Sequence, residues 1–475
     1  MSNTKIVATL GPSTDSPEKI RKLFDAGVDV FRLNASHGTQ EDHGKRIRMV
    51  REIAEELNII SAGILMDLQG PKIRLGKFEG GKAYLETGSF FTITTEDTMG
   101  TNEGAYTTYA DFARDVREGD KVLLADGSVE LKVVTCNGVS AKCEVVSGGW
   151  IGDRKGINLP GVQVSTPSLT RKDMADLQYG LEQGIDFVAM SFVRKPQDVL
   201  RLRLFLEERD AHLPIIAKIE KPEAWQNLDE ILQESDGVMV ARGDLGVEMA
   251  LERVPFIQKS IIDRARQQGK FVITATQMLE SMIEHSFPTR AEVSDVANAI
   301  YDGTDAVMLS AETSAGKYPV EAAALMDRIA AEAESSLKSQ GFKEPLSNRT
   351  SPTHAEIVAD AAYHAARSAG VQAIAVFTSS GFSARLIARY RPPVPVYAFT
   401  QSLVTARQLS LIYGIFPVLV PNLMSTDEML LHMDRILLER KVLKARDSVV
   451  FVAGQPIGRP GSTNLMKLHR VGESR

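Results

Sequence analysis

The sequence is short of cysteine and has no long apolar run. Only Cys136 and Cys143 occur among its 475 residues. Two cysteines cannot form a disulfide framework and are typical of a reducing compartment, and no histidine close to them in sequence could complete a zinc site. No run approaches the roughly 20 apolar residues of a membrane span. The start, MSNTKIVATLGPS, lacks the apolar core of a signal peptide. We therefore expect a cytoplasmic protein with no membrane partner.

An excess of positive charge is also missing. The chain has 55 Lys and Arg against 61 Asp and Glu, a formal net charge of −6. This balance argues against a nucleic acid as partner, because a phosphate backbone is bound mainly by a basic surface. A chain of this length is too long for one compact core, so we expect two to four domains.

What the sequence does contain is eight short β-branched runs, each ending in a polar residue. They are KIVATLG from Lys5, VDVFRLNAS from Val28, GILMDL from Gly63, DFVAMSF from Asp186, PIIAKIE from Pro214, GVMVARGD from Gly237, FVITATQ from Phe271 and DAVMLSAE from Asp305. Such runs are typical of parallel strands buried on both faces, and helical patterns separate nearly all of them. Eight strand–helix units predict an α/β fold, a (β/α)8 TIM barrel with its active site at the carboxyl ends of the strands.

The barrel pattern is interrupted after its third strand. Short alternating strands and glycine turns replace the helices, which predicts a small β-barrel domain inserted at 70–167. A domain inserted there would lie over the barrel mouth as a lid. The barrel then comprises 1–69 and 168–345. A polar linker, KSQGFKEPLSNRTSPT, leads into a C-terminal α/β domain at 346–475.

Charged residues at the ends of the fifth and sixth strands predict a metal site. Lys218 and Glu220 are two apart on one strand, so both side chains face the same way. On a surface such a pair is usually only a salt bridge, but the residues around this one are apolar. A buried pair is costly unless it is compensated or functional. Asp244 ends the next strand, and two neighbouring carboxylates suit Mg²⁺, which also binds waters and substrate oxygens.

Polar residues follow two more strands and complete the mouth. Arg32 is a fork-shaped donor suited to phosphate, and Asn34, Ser36 and Asp67 are hard oxygen donors suited to K⁺ or Mg²⁺. Thr276 offers a hydroxyl that could hold a carboxylate or relay a proton. This set suits phosphoryl transfer, which depends on positioning and on neutralising charge. There is no G-x-x-x-x-G-K-[ST] loop, so a nucleotide must be held in another way.

Several long motifs of this chain resemble those of pyruvate kinases. They are RLNASHG from Arg32, MDLQGPKIR from Met66, AKIEKPEAW from Ala217, MVARGDLGVE from Met239, ATQMLESM from Ala275, PTRAEVSDVANAIYDGTDAVMLSAET from Pro288 and KYP from Lys317. The resemblance covers the chain nearly end to end. It implies a glycolytic homotetramer that transfers the phosphoryl group of phosphoenolpyruvate to ADP, giving pyruvate and ATP.

The resemblance also implies a role for each matching residue. Glu220 and Asp244 would bind the catalytic Mg²⁺ or Mn²⁺, and Lys218 would stabilise the phosphoryl group in flight and the enolate left behind. The other expected contacts are Arg32 and Arg74 for phosphate groups; Asn34, His37, Arg74 and Lys155 for the nucleotide; Ala241, Gly243, Asp244 and Thr276 for the substrate carboxylate; and Thr276 and Ser310 for protonating the enolate.

One departure from the family pattern concerns a monovalent cation. Many members read DTKGPEIR where this chain reads DLQGPKIR, so Lys72 replaces a glutamate that accompanies K⁺ dependence. An ammonium near the site can replace the charge of K⁺, so we expect K⁺ not to be required. A Lys72 pointing to solvent would have no such effect. The donors expected for the K⁺ site nevertheless remain, namely Asn34, Ser36, Asp67 and Leu68.

In relatives the C-terminal domain binds a sugar-phosphate or nucleotide effector, which would make the enzyme allosteric. The loop TSSGFSAR precedes a helix and offers N–H groups and hydroxyls to a phosphate. Its expected contacts are Thr378, Ser379, Ser380, Gly381 and Ser383, with GRPGSTNLMKLHRV from Gly458 as the second half of the pocket. Such a loop is as often only a helix cap, so an unregulated enzyme is equally compatible with the sequence.

Two other functions compete with phosphoryl transfer. A Mg²⁺-dependent aldolase or lyase acting on pyruvate or oxaloacetate would use similar groups but needs no lid. A catalytically silent sugar-phosphate sensor would have no use for the intact set of Lys218, Glu220, Asp244 and Thr276.

Overall fold

A closed barrel of eight parallel strands forms the centre of the protein. The computed structural model describes residues 2–340, 352–368, 370–422, 425–456 and 463–473. The first part of the chain supplies β1 (Lys5–Thr9), α1 (Pro17–Asp25), β2 (Val30–Asn34), α2 (Gln40–Glu56) and β3 (Gly63–Asp67). Helix α2 begins where Thr39 and Asp42 form a capping box.

A separate β domain follows β3. Its elements are β4 (Lys82–Leu85), β5 (Phe90–Thr94), β6 (Gly104–Tyr106), α3 (Phe112–Asp115), β7 (Lys121–Leu124), β8 (Val129–Cys136), β9 (Ser140–Ser147), β10 (Gly149–Gly152) and β11 (Ile157–Asn158). Six strands form a sheet in the order β11-β7-β8-β9-β5-β6, and β10 pairs with β4. Along β8 the residues Val129, Leu131 and Val133 are buried while their neighbours are not, as expected for a sheet with one face in a core. The predicted inserted β domain is confirmed.

The chain then returns to the barrel. This part comprises α4 (Arg171–Gln183), β12 (Phe187–Met190), α5 (Pro196–Glu207), β13 (Ile215–Ile219), α6 (Pro222–Gln226), α7 (Leu228–Glu234), β14 (Gly237–Ala241), α8 (Arg242–Glu248), α9 (Val254–Gln267), β15 (Phe271–Ala275), α10 (Arg290–Asp302), β16 (Ala306–Leu309), α11 (Ala311–Ser314) and α12 (Pro319–Gln340). The strand order is β1-β16-β15-β14-β13-β12-β3-β2, and β1 pairs with β16 to close the ring. All eight predicted strands are present, and their continuous apolar runs are explained by burial on both faces.

The C-terminal part is a second α/β unit. It comprises α13 (His354–Ser368), β17 (Ala373–Phe377), α14 (Phe382–Ala388), β18 (Val396–Thr400), α15 (Leu403–Gln408), β19 (Ile415–Leu419), α16 (Thr426–Glu439), β20 (Ser448–Gly454) and β21 (Thr463–Arg470). The sheet order is β19-β18-β17-β20-β21, with only β21 antiparallel to its neighbour. The boundary predicted at 345/346 and the stretch 458–462 lie outside the described residues. Within the described part of the chain, no helix has the length and apolar character needed to cross a membrane.

Candidate active site

A buried ion cluster centred on Lys218 lies at the carboxyl ends of the barrel strands. Because Lys218 and Glu220 are two apart at the end of β13, their side chains project together, and Lys218 Nζ lies 2.8 Å from Glu220 Oε1. The same Nζ lies 3.3 Å from Asp67 Oδ1 and donates to Ser191 Oγ at 2.8 Å. Lys218 is only 9% exposed and Glu220 only 2%. Strands β3, β12 and β13 thus bring two carboxylates and a hydroxyl around one ammonium.

Arg32 extends the cluster from the neighbouring strand. Its Nε donates to Asp67 Oδ2 at 2.8 Å, and its Nη2 lies 2.6 Å from the same oxygen. Its Nη1 donates to Thr9 Oγ1 at 2.9 Å. Asp67 therefore holds a guanidinium and an ammonium side by side, a pair of cations suited to the charge of a phosphoryl group.

The charges of this cluster perturb one another strongly. Burial by itself would favour neutral Lys218, but Asp67, Glu220 and Asp244 keep its pKa above the ordinary value. Burial would also raise the pKa of Asp67, but Lys218 and Arg32 outweigh it and hold that pKa below the usual range. For Glu220 burial prevails, and repulsion from Asp244 adds to it, so its pKa is raised. Burial and the nearby Asp244 therefore outweigh the contact of Glu220 with Lys218.

Asp244 lies beyond its strand rather than at its end. Strand β14 stops at Ala241, and Asp244 belongs to the first turn of α8, where it is exposed to the cleft. In the described part of the chain no group of three or more His, Cys, Asp or Glu side chains is arranged to hold a metal. Two carboxylates still suit Mg²⁺, which takes one or two and completes its shell with water and substrate oxygens. The raised pKa of Glu220 fits, since a divalent cation there would stabilise both charges.

Thr276 lies in a strained turn after β15. Its φ is 66° and that of Gln277 is 54°, a region in which a β-branched residue is costly. The Thr276 hydroxyl donates to Ala275 O at 2.6 Å and accepts from Gly243 N at 2.8 Å. Two groups predicted to hold the substrate carboxylate are therefore hydrogen-bonded to each other, and they join the β15 turn to the helix that carries Asp244.

The inserted domain and the barrel enclose a cleft beside the cluster. It holds about 690 Å³ of atom-free space, including the solvent at its open side. Residues of both domains line it, among them Lys72, Asp126, Asn158, Phe192, Lys221 and Asp244. Asn158 Nδ2 donates to Glu248 Oε1 at 2.9 Å, and Lys221 Nζ lies 2.5 Å from the same oxygen. The buried Glu248 carboxylate thus ties the inserted domain to the barrel.

Two predicted nucleotide contacts lie where the inserted domain begins and ends. Arg74 forms a β-bridge with Gly156, and its Nη1 donates to Arg154 O at 3.0 Å. Lys155 is exposed, and its carbonyl accepts from Leu75 N at 2.9 Å. The backbone of Arg74 therefore runs beside that of Lys155 where the inserted domain joins the barrel.

The other two predicted nucleotide contacts lie at the end of β2 and just after it. Asn34 Oδ1 accepts from Ser36 N at 3.1 Å, and His37 is exposed. Partial burial, followed by the charges of Lys72 and of the two arginines nearby, lowers the pKa of His37. Lys72 is therefore near enough to act on this turn, although its side chain is also exposed.

Three of the four predicted K⁺ donors, Asn34, Asp67 and Leu68, already have partners. Both oxygens of Asp67 accept from cations, and the carbonyl of Leu68 accepts from Ser191 Oγ at 2.7 Å. The amide oxygen of Asn34 is engaged by Ser36 N, as described above. A monovalent cation would have to compete with these contacts.

Ser310 offers a free hydroxyl close to the end of β16. Its buried Oγ has no hydrogen-bond partner in the described part of the chain, whereas its N–H donates to Glu312 Oε2 at 2.7 Å. A hydroxyl of this kind can accept or deliver a proton once a substrate is present.

The predicted effector loop precedes α14, as the sequence indicates. Gly381 adopts φ 76° at the helix start, and Ser379 O accepts from Thr405 Oγ1 at 2.8 Å. Ser383 is buried, and its hydroxyl hydrogen-bonds Thr463 instead of facing solvent. Of the five predicted contacts, Thr378, Ser379, Ser380 and Gly381 remain in the loop.

Sequence reasoning missed three supporting residues. Ser191 accepts from Lys218, and Phe192 donates its N–H to Glu220 Oε2 at 2.9 Å from a left-handed φ of 57°. Arg242 is buried and donates to Thr276 O at 2.7 Å. The polar end of the run DFVAMSF could have indicated Ser191.

Comparisons with known proteins agree with this architecture. The model of the family "Pyruvate kinase, barrel domain" matches residues 1–323, and that of "Pyruvate kinase, alpha/beta domain" matches 356–469. A pyruvate kinase of Geobacillus stearothermophilus is 45% identical over 99% of this chain and 80% of its own length. One of Staphylococcus aureus is 45% identical over 100% and 81%. A crystal structure of a Cryptosporidium parvum pyruvate kinase superposes with TM-score 0.93 at 36% identity, covering 99% of this chain and 96% of that one.

Proposed function

Since this chain belongs to the pyruvate kinase family, and so transfers the phosphoryl group of phosphoenolpyruvate to ADP in glycolysis, we propose that Lys218 and its neighbours carry out the transfer. The observation that carries this proposal is the buried ammonium of Lys218, in contact with Glu220 and Asp67 at the barrel mouth. The comparisons give no support to an aldolase, a lyase or a silent sensor.

Lys218 and Arg32 are the cations that meet the phosphoryl group. The raised pKa of Lys218 keeps it charged at neutral pH, so it stabilises the charge of the group in flight and of the enolate. Arg32 is held by Asp67 and presents a guanidinium beside it. Arg74 at the hinge adds a second guanidinium from the lid side. Ser310 and Thr276 belong to the region from which the enolate receives its proton.

Glu220 and Asp244 are the residues that would hold the divalent cation on which this family depends, Mg²⁺ or Mn²⁺. When bound, the ion supplies positive charge to phosphoryl and carboxylate oxygens. The chain contributes its orientation: Phe192 N–H fixes one Glu220 oxygen and Lys218 the other. Ala241 and Gly243 bring backbone beside Asp244, where the substrate carboxylate binds.

The enzyme does not require K⁺. The charge of Asp67 is balanced by Arg32 and Lys218, and the exposed ammonium of Lys72 acts electrostatically on the same turn through its effect on the pKa of His37. A cation at Asn34, Ser36 and Leu68 would meet repulsion from these groups.

The lid completes the nucleotide site. The cleft is lined by residues of both domains, including Lys72 and Asn158 from the inserted part and Lys221 and Asp244 from the barrel. In this proposal Asn34, His37, Arg74 and Lys155 bind ADP. Closure over the substrates excludes water, which would otherwise accept the phosphoryl group.

The proposal also covers assembly into a homotetramer, binding of an effector and location in the cytoplasm. Large apolar side chains on the barrel are exposed, with Leu251 at 72%, Phe256 at 63% and Phe287 at 80% exposure, which supports burial between copies in a homotetramer. Residues 378–381 bind the phosphate of a sugar-phosphate or nucleotide effector. Two cysteines, both free, suit the cytoplasm.

The test is a coupled assay that follows pyruvate formed from phosphoenolpyruvate and ADP. We expect turnover with Mg²⁺ in a buffer free of K⁺, and no turnover after chelation of divalent ions. An absolute need for K⁺ would overturn the proposed role of Lys72. Pyruvate and inorganic phosphate formed from phosphoenolpyruvate at the same rate without ADP, with no ATP produced, would overturn the transfer itself.

A further inference from the structure

A second cluster of cations lies on the opposite face of the barrel. A cavity between the amino-terminal ends of the barrel strands and the C-terminal α/β unit is lined by Arg266, Lys270, Arg385, Arg389 and Arg391. Strand β15 begins just after Lys270. The cavity is therefore remote from the carboxyl strand ends that carry the active site, and nothing in phosphoryl transfer uses it.

Several N–H groups in this cluster have nothing to donate to. In the described part of the chain, the buried Nε and Nη2 of Arg266, Nε of Arg389 and Nη1 of Arg391 have no hydrogen-bond partner. Arg391 as a whole is only 2% exposed. Buried donors are almost always satisfied, so unmet donors on three adjacent arginines indicate a missing acceptor.

Two carboxylates pair with cations of this cluster: Asp305, and Glu356, whose Oε1 lies 3.6 Å from Arg389 Nη1. Asp305 is the one acidic residue among those lining the cavity. Its oxygens already accept from Val272 N at 2.9 Å and lie 3.1 Å from Arg391 Nη2. Burial, with repulsion from Arg391, lowers the pKa of Arg266 to about 10. A bound anion would relieve this repulsion.

We propose that this cavity is a binding site for a small tetrahedral oxyanion, phosphate or the phosphoryl end of a small phosphomonoester, held by Arg266, Arg389 and Arg391. Guanidinium forks match the oxygens of such an ion, whereas a neutral ligand would leave the charges unbalanced. The space among these residues, about 330 Å³ including the solvent at its open side, is reached from that side. Because Arg266 belongs to the barrel and Arg389 and Arg391 to the C-terminal unit, the ion joins the two.

The experiment compares thermal unfolding of the full chain in phosphate and in chloride at equal ionic strength. Arg266→Gln removes a donor of the cavity. Arg264→Gln is the matched control, since Arg264 lies on the same helix but donates to Asp229 at 2.9 Å. We expect phosphate to raise the melting temperature of the wild type and of Arg264→Gln alike, and that of Arg266→Gln by less than half as much. In chloride, Arg266→Gln should melt no lower than the Arg264→Gln control, because it relieves a repelling cluster.

Binding of phosphate at the active site affects all three proteins equally, so the difference between variants isolates the cavity. Equal phosphate shifts in all three would overturn the proposal. Wild-type crystals soaked in selenate give a second readout that needs no variant. An anomalous selenium peak within hydrogen-bond distance of Arg266 and Arg391 supports the site, and water alone there refutes it. Glycerol 3-phosphate in place of phosphate distinguishes the sources: a larger shift assigns the site to phosphomonoesters, an equal or smaller one to inorganic phosphate.

Discussion

Replacing Lys218 by methionine tests two roles of its ammonium, in catalysis and in the stability of the fold. Methionine has a similar length but carries no charge, so the substitution removes the ammonium with little change in packing. It leaves Glu220 and Asp67 buried without their shared partner. We therefore expect the substitution to lower both kcat and the free energy of unfolding.

The magnitudes follow from the contacts. Breaking a buried ion pair by removing one partner costs about 3–5 kcal/mol of unfolding free energy. Loss of a cation that stabilises a phosphoryl group in transfer lowers kcat by about 10³–10⁵-fold. The double variant Lys218→Met, Glu220→Gln removes the stranded charge of Glu220, so it should recover a large part of the lost stability but none of the activity.

The assay measures two reactions of the same protein. Pyruvate formation from phosphoenolpyruvate and ADP reports transfer, and exchange of the pyruvate methyl protons in D₂O with Mg²⁺ reports enolisation. We expect Lys218→Met to abolish transfer and to retain part of the exchange, with urea unfolding to show that the protein is folded. Equal loss of both reactions in a folded variant would refute the role given to Lys218.

Three further predictions concern the surrounding residues. Lys72→Glu should create a K⁺ requirement in the coupled assay and raise the pKa of His37 in an NMR titration, because it removes a nearby positive charge; the exposed control Lys77→Glu should do neither. The raised pKa of Glu220 means that the folded protein keeps a proton which the unfolded chain releases, so stability should fall as pH rises from about 4.3 through the raised value. Glu220→Gln should flatten that fall in urea unfolding and abolish stabilisation by Mg²⁺, and an unchanged Mg²⁺ effect would contradict the assigned ligand. Asn158→Ala should raise KM for ADP about 2–10-fold with a smaller change in kcat, because one lid hydrogen bond contributes about 0.5–1.5 kcal/mol; a change in kcat alone would count against a role in lid closure.

Much of the fold could be predicted because the barrel strands are buried on both faces. Burial on both faces leaves an unbroken apolar run in the sequence, as in the strand from Gly237 to Ala241. The inserted β domain could also be predicted, because apolar and polar residues alternate at the start of β8, as buried and less buried positions do in the structure. The end of β14 was predicted wrongly. The sequence was expected to continue the strand to Asp244, but the strand stops at Ala241 and Arg242 begins α8.

The site was predictable only in part. The spacing of Lys218 and Glu220 indicates a common face, yet no pattern reveals that Asp67, two strands away in the barrel, shares the same ammonium. The backbone N–H of Phe192, which holds Glu220, has no signature in sequence at all. The hydrogen bond of Thr276 to Gly243 depends on a left-handed turn that a β-branched residue gives no reason to expect.

The central claim is that one divalent cation binds between Glu220 and Asp244, beside the ammonium of Lys218. A crystal structure with Mn²⁺ and oxalate, with data collected at the manganese edge, tests it most directly. We predict one anomalous peak at the barrel mouth, coordinated by both carboxylates, with Lys218 Nζ facing the oxalate. A metal bound elsewhere, or one that touches neither carboxylate, would contradict the account.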